Sequence, residues 1–332
     1  MKRFIVKIYQ LDGTFKKTIT DDLILNEIAF GSQKNGGQGE LDLLLNLDYN
    51  DTDFEKSDFI RVYLYDDNFT SGELIYTGII EEINRNYKDN QNTIELVCRG
   101  LASLLTRVMY QDGSYTFTAN DTASNIIIDV VTYFNTIYTG GWLNTTGIVS
   151  TIGNISIDFE YDTSFDAIQA VADVYGTFWL VLPDGTVVFN STPDTHLLTA
   201  VKDVQNVDIN DDGSDIINRA IVEHASGTVT RSDTVSIAAN GLFEEKYNKT
   251  ELDAATASDF GDEVLANNGT KNAVIIDVNS KYIFENIKAG DNIKVRNINY
   301  VISSVVEKID YSVNSCKIYL DKYDSVGKVL IN

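Results

Sequence analysis

A block that occurs twice constrains this chain more than any other feature. Between Asp58 and Leu104 the residues read as strand, loop, strand, turn, strand and a short helical end. Phe59 to Tyr65 is a β-branched and aromatic run that breaks at Asp66-Asp67-Asn68. Ile75 to Tyr87 is a second run, and Thr93 to Arg99 a third, across the turn Lys88-Asp89-Asn90-Gln91-Asn92. Gly100-Leu101-Ala102-Ser103-Leu104-Leu105 closes the block. Near the C-terminus Asp291 to Val295 echoes Asp58 to Val62, Val305 to Ile309 echoes Ile79 to Ile83, and Lys317 to Leu320 echoes Thr93 to Leu96. The second copy has a shorter first loop and the same order of parts. Chance similarity between two amphipathic meanders is the competing explanation of this long-period repeat.

A length of 332 residues sets an expectation of about two domains. A chain near ~300 residues hides about 75% of its unfolded surface, so no staple is needed. Acids outnumber bases 49 to 26, net −23, and the imbalance is uneven. Between Arg107 and Lys202 there is no Lys or Arg, whereas ten Asp and Glu, both Trp (Trp142, Trp179) and both Pro (Pro183, Pro193) fall there. That shift marks a separate middle segment. Each phosphate contact needs a cation to displace counterions, so the middle third is excluded as a nucleic-acid clamp. Cys98 and Cys316 show no paired spacing, which points to free, mostly buried thiols rather than a disulfide framework or zinc site. The start Met1-Lys2-Arg3-Phe4-Ile5-Val6 lacks the apolar run of a signal peptide. The uncharged run Val130 to Ile157 is too rich in Thr, Asn and Gly to span a bilayer. A soluble protein from a reducing compartment, without membrane insertion, is expected.

Phe4 to Gln10 and Thr14 to Thr18 flank the hairpin signal Leu11-Asp12-Gly13. The Gly-rich stretch Gly31 to Gly39 leads into alternating Leu41, Leu43, Leu45 and Leu47, a strand. A phosphate-cradling loop would open a helix instead, so this is a β-turn connection. Asp121 or Thr122 caps a run with Ile127, Val130, Val131 and Phe134 at helical spacing. Thr163-Ser164-Phe165-Asp166 is a capping box opening a helix with Phe165, Ile168, Ala172 and Tyr175 on one face, ended by Gly176. Thr177 to Leu182 and Thr186 to Asn190 form a hairpin around Pro183-Asp184-Gly185. Val201 to Ile209 and Asp215 to Val222 read as strands, separated from the second block by a helix over Glu251 to Asn267 closed by Gly269.

Chemistry finds little to work with. His196 and His224 are not ligand-spaced, and no GxSxG, HExxH or Walker pattern occurs. Glu81 and Glu82, neighbours on a strand, are expected on opposite faces, and Asp158, Glu160 and Asp162 on one. That acidic trio could imitate a glycosidase pair, but a solvated strand face is the plainer reading. Asp208-Ile209-Asn210-Asp211-Asp212-Gly213 imitates half a calcium loop, yet position twelve is Arg219 rather than Glu, and no helix precedes it. No catalytic, cofactor-binding or metal residue is assigned, no cofactor is expected, and the chain is not read as an enzyme.

The chain resembles the tail-hub, or baseplate-hub, proteins of tailed bacteriophages and related contractile injection particles. The resemblance rests on Asn35-Gly36-Gly37 leading into Leu41 to Leu47, and Tyr76 to Ile80 leading to Glu95 to Gly100. Further on it rests on Phe165 to Ile168 with Trp179 to Phe189, and on Ile216 to Arg219. It implies an α+β, mainly β fold: two similar antiparallel β-barrels flanking an α+β domain, with a helical insertion in the second barrel. The segments would be 1–108, 109–195 and 196–332, the insertion at about 235–275. It further implies a homotrimer whose six barrels continue a hexameric tail tube at the virion tail tip, assembled in the host cytoplasm. Its partners would be a tail tube or distal tail protein, a tail tip, spike or fibre protein, and a tape measure protein. DNA would slide through an acidic channel without specific binding. The chain's end soon after the second block, at Asn332, sets the expectation that another protein supplies lytic or fibre parts. The competing readings are a cell-wall hydrolase using Asp158, Glu160 or Asp162, and a glycan-binding adhesin with Trp142 and Trp179 as its platform.

Overall fold

The computed structural model describes residues 3–26, 28–46, 53–65, 72–88, 91–199, 203–212, 216–250, 252–267, 271–278, 287–296, 301–312 and 316–320. The expected turns at Asp66 to Asn68 and Asp89-Asn90, together with Leu47, Gly213 and Gly269, lie outside them.

The first third forms β1 (Arg3–Tyr9), β2 (Phe15–Thr20), β3 (Ala29–Gln33), β4 (Gly36–Leu45), β5 (Phe59–Tyr65), β6 (Glu73–Lys88), β7 (Gln91–Gly100) and the one-turn α1 (Ala102–Leu105). The middle forms β8 (Thr116–Thr122), α2 (Ala123–Ile137), β9 (Asn144–Ile148), β10 (Asn154–Glu160), α3 (Ser164–Tyr175), β11 (Trp179–Val181) and β12 (Thr186–Phe189). The last third begins with β13 (Thr195–Thr199), β14 (Val204–Asp212), β15 (Arg219–His224), β16 (Gly227–Ser232), α4 (Thr234–Asn240), β17 (Glu244–Asn248) and α5 (Ala254–Asn267). It ends with β18 (Lys271–Val278), β19 (Asn292–Arg296), β20 (Val301–Ser312) and β21 (Cys316–Leu320). The protein is mainly β.

The repeat extends further than the sequence echo. The first third orders its strands β3-β4-β7-β6-β5 and the last third β14-β18-β21-β20-β19, every neighbour antiparallel. Phe59 faces Ile79 as Asn292 faces Val305, so two of the three echoes hold in register. The third is offset by two: Leu96 pairs with Ile83 as Ile318 pairs with Ile309, so Leu96 corresponds to Ile318 rather than Leu320. An even offset keeps the same side chains on the core face. Both long strands also break register at the same place against the neighbour they share, between Ile80 and Glu82 of β6 against β7 and between Val306 and Lys308 of β20 against β21. That extra residue lets each strand pair with one neighbour along its first half and another along its second.

The turn leading into β5 is repeated atom for atom ahead of β19. Asp58 accepts the Glu55 N–H at 2.9 Å through its carboxylate, and its carbonyl receives the Ile80 N–H at 2.8 Å. Asp291 accepts the Lys288 N–H at 2.8 Å, and its carbonyl receives the Val306 N–H at 2.8 Å. The residue before each carries a positive φ, Ser57 at 79° and Gly290 at 92°. Both carboxylates are buried beside a basic group: Lys16 Nζ lies 2.8 Å from Asp58, and His196 Nε2 3.0 Å from Asp291.

Among the described residues the main sheet does not close. Among the same residues the two units expected as separate barrels lie in one sheet, because β3 pairs with β20 from Lys308↔Gln33 to Ser312↔Ala29. Tyr311 accordingly sits in the first unit's core, its ring 5.0 Å from Phe30. A second core lies within the last unit around Ile276, Ile293 and Ile318. A third joins the middle helices to the backs of β5 and β6 through Phe59 and Ile79.

The middle segment is α+β as expected. Thr122 caps α2, accepting the Asn125 N–H, and the anticipated Ile127, Val130, Val131 and Phe134 are its buried face. Thr163 Oγ1 accepts the Asp166 N–H at 3.1 Å. The box is incomplete, since Asp166 takes the Thr163 hydroxyl at 2.6 Å rather than a backbone N–H. The buried face of α3 is Ala167, Ile168, Val171 and Ala172, with Phe165 and Tyr175 at its margins. Gly176 at φ 71° ends it.

The insertion is larger than the helix α5. Strand β15, expected in the second barrel, forms a three-stranded sheet β16-β15-β17 against which α5 packs. This unit interrupts the β14–β18 hairpin at the position where β3 and β4 are joined by the turn Lys34-Asn35.

Replacing either turn carboxylate, Asp58→Ala or Asp291→Ala, strands buried N–H groups and is expected to cost about 2–4 kcal/mol by urea denaturation. An Asp58→Ala protein of unchanged midpoint would show that the turn does not hold the unit.

Candidate functional site

Three parts of the chain meet at the Gly-rich stretch. Gly31 and Gly36 to Gly39 lie in strands, with the connection reduced to Lys34-Asn35, Asn35 at φ 57°. From one side β11 runs parallel to β4, Leu180 beside Gly36 and Val181 beside Gly37. Asn35 N–H donates to the Trp179 carbonyl at 2.8 Å. A Cβ on Gly37, whose φ is 121°, would lie 2.5 Å from the Val181 carbonyl oxygen. From the other side β20 lies against β3, and Gly100 backs on to Gln38. The absence of side chains at Gly37 and Gly100 is what lets their main chains touch Val181 and Gln38. The Gln38 amide then acts as an extra peptide unit, donating to the Ile75 carbonyl at 2.5 Å and accepting the Thr77 N–H at 3.0 Å. A cleft of about 420 Å³ opens along this seam between Ser32, Arg99, Phe165 and Lys308.

The face of the sheet turned away from the Leu41, Leu43 and Leu45 core is strongly acidic over the first unit. Glu40 and Asp42 on β4, Glu95 on β7 and Glu82 on β6 lie close enough that the three glutamates act on Asp42. Burial first, then the charges of Glu40, Glu95 and Glu82, holds the Asp42 carboxyl above its ordinary range. Arg99 offsets part of this, 3.3 Å from Glu40 and 2.7 Å from Glu81, and Arg107 also pairs with Glu81. Over the second unit the face is more balanced, with Lys308 2.8 Å from Asp310 and Lys317 opposite Asp277 and Asp310. Sequence alternation alone misplaced Glu81 and Glu82. Ile80 and Ile83 both pack on the first core, so the bulge leaves no strict opposition for the two glutamates between them.

The other sequence candidates do not assemble into a site. Strand β10 ends at Glu160, and Tyr161 adopts φ 59°, which breaks the acidic alternation. Asp162 folds back to accept the Glu160 N–H at 2.8 Å, while Asp158 binds the Thr118 hydroxyl at 2.6 Å. Asp208, Asn210 and Asp212 lie on β14, paired with Ile275, Ala273 and Lys271. Alternate strand positions are roughly 6.6 Å apart, so their backbone does not wrap a cation. Trp142 is buried, stacked on Phe59 at 3.7 Å and donating to the Leu11 carbonyl at 2.9 Å. Trp179 is buried, donating to Gln169 at 2.9 Å. His196 serves the Asp291 turn, and His224 accepts the Ser226 N–H at 3.4 Å. Cys98 and Cys316 are free and buried; burial pushes the Cys98 thiol well up and Cys316 to about 12.

No protein-family profile and no curated protein sequence matches the chain. Solved structures do. The 43 kDa tail protein of prophage MuSo2 from Shewanella oneidensis superposes with a TM-score of 0.66 at 14% identity, covering 96% of this chain and 98% of that one. The tail protein from Neisseria meningitidis MC58 gives 0.63 at 14%, covering 97% of each. Prophage tail protein gp18 from Listeria monocytogenes EGD-e gives 0.54 at 8%, covering 99% and 96%. From end to end, this chain has the fold of phage tail proteins.

Proposed function

We propose that the chain is a structural, non-enzymatic tail hub at the virion tail tip or baseplate, working as a homotrimer. The observation that carries this reading is the internal repeat: one chain holds two copies of a five-stranded antiparallel unit. A three-fold object docks poorly on a six-fold tube, because closed symmetry requires matching patches. Three chains with two tube units each, 1–108 and 196–332, offer six near-equivalent surfaces, with the 109–195 domain joined to the first unit through β11. In this reading the hub joins a tail tube or distal tail protein to a tail tip, spike or fibre protein, with a tape measure protein also in contact. Assembly takes place in the host cytoplasm.

The acidic sheet face supports a role as channel wall. DNA meeting Glu40, Asp42, Glu82 and Glu95 gains no counterion release, so it slides without sticking. The same crowding has a signature in stability. A carboxyl whose folded pKa is raised above its ordinary 3.8 penalises folding fully above the folded value. That penalty fades as pH falls toward the ordinary value. Asp42→Asn is therefore expected to stabilise the protein at neutral pH by roughly 0.2–0.5 kcal/mol after solvent screening. The gain should shrink with added salt and disappear in acid denaturation curves below about pH 4.

Light-scattering mass and negative-stain images test the assembly. A three-chain ring with six lobes is expected. A chain that stays monomeric and never joins tail tubes would sink the proposal.

A further inference from the structure

Two strand edges have no partner among the described residues of the single chain, and the repeat indicates what each would pair with. Within the chain, β20 pairs with β19 over Val301 to Val305, and β3 then takes the same edge over Lys308 to Ser312. In β6, the counterpart of β20, pairing with β5 ends at Ile79 and the Asp58 turn holds Ile80. From Glu81 to Lys88 only β7 pairs with it among the described residues. The counterpart of β3 is β14, which ends the sheet path and pairs only with β18 among the described residues. Each chain thus contains one complete junction and the two separated halves of a second.

We propose that β14 of one copy of this chain pairs antiparallel with the β6 edge of a second copy. The inference rests on reading the chain as a ring subunit and adds which edges close the ring and in what register. Tyr311 faces Phe30 in the internal junction; the corresponding residues are Arg85 and Ile209. The same mapping turns Asp310↔Gly31 and Ser312↔Ala29 into Asn84 opposite Asn210 and Asn86 opposite Asp208. A second copy is the occupant because it alone carries the complementary half. The contact is head-to-tail, the kind that generates closed rings when the rotation closes. It also satisfies main-chain donors and acceptors that would otherwise template misassociation. Glu82 falls opposite Asp212 at one end of the register, so salt favours the joint.

Cysteine pairs in the full chain test the register. Asn86 and Asp208 are exposed, and opposite residues of an antiparallel pair lie about 4.5–5.5 Å apart, within disulfide reach. The native thiols are buried. Mild oxidation of the Asn86→Cys, Asp208→Cys protein should give covalent dimers and larger closed species on non-reducing gels. Asn86→Cys with Val207→Cys, one residue out and on the opposite face, should give none. Light scattering on each variant and on the parent separates the failures. A ring that forms while the first pair stays unlinked overturns the edge pairing and leaves the hub reading standing. A parent that remains monomeric at its highest soluble concentration, with neither pair linking, overturns both.

Discussion

The joint between the first unit and the middle domain depends on main chains touching where a side chain would hold them apart. At Gly36 and Gly37 the backbone of β11 lies directly beside β4, while β20 joins β3 by an ordinary antiparallel ladder. The first unit, the middle domain and the last unit thereby share hydrogen bonds rather than only apolar contacts. Hydrogen-bonded junctions fix relative orientation in a way that side-chain packing does not, because a ladder has one register. The run of glycines is thus a structural joint. A Cβ on Gly37 would strike the Val181 main chain, and the positive φ there disfavours any other residue.

The second constraint is the buried carboxylate turn. Asp58 and Asp291 perform one task with different basic neighbours, a lysine on β2 and a histidine on β13. The flanking strands differ too, since β1 runs antiparallel to β5 whereas β13 runs parallel to β19. What the two units share is therefore the five-stranded sheet, its bulge and its entry turn. Variation is confined to the outer flank and to the hairpin that carries the three-stranded insertion.

Electrostatics follows the same division. Apolar alternation fills the cores, which leaves the carboxylates of β4, β6 and β7 together on the opposite face. The first unit carries most of this excess, while lysines balance the face of the second. Asp158, Glu160 and Asp162 diverge for reasons visible in the backbone at Tyr161.

Much of this was legible in the residues. The β-branched runs, the capped helix α2, the Pro183-Asp184-Gly185 turn and the repeated block followed from periodicity and turn chemistry, which act over a few residues. Long-range pairing was not legible. The β-bulge that misplaced Glu81, the membership of β15 in a separate sheet and the joining of β3 to β20 depend on partners far away in sequence, which alternation cannot name. From the residues alone came two related β-meanders around a helix-bearing centre without Lys or Arg. Their union in one sheet is settled in three dimensions, because a strand edge chooses its partner by proximity in space, which alternation along the chain does not encode.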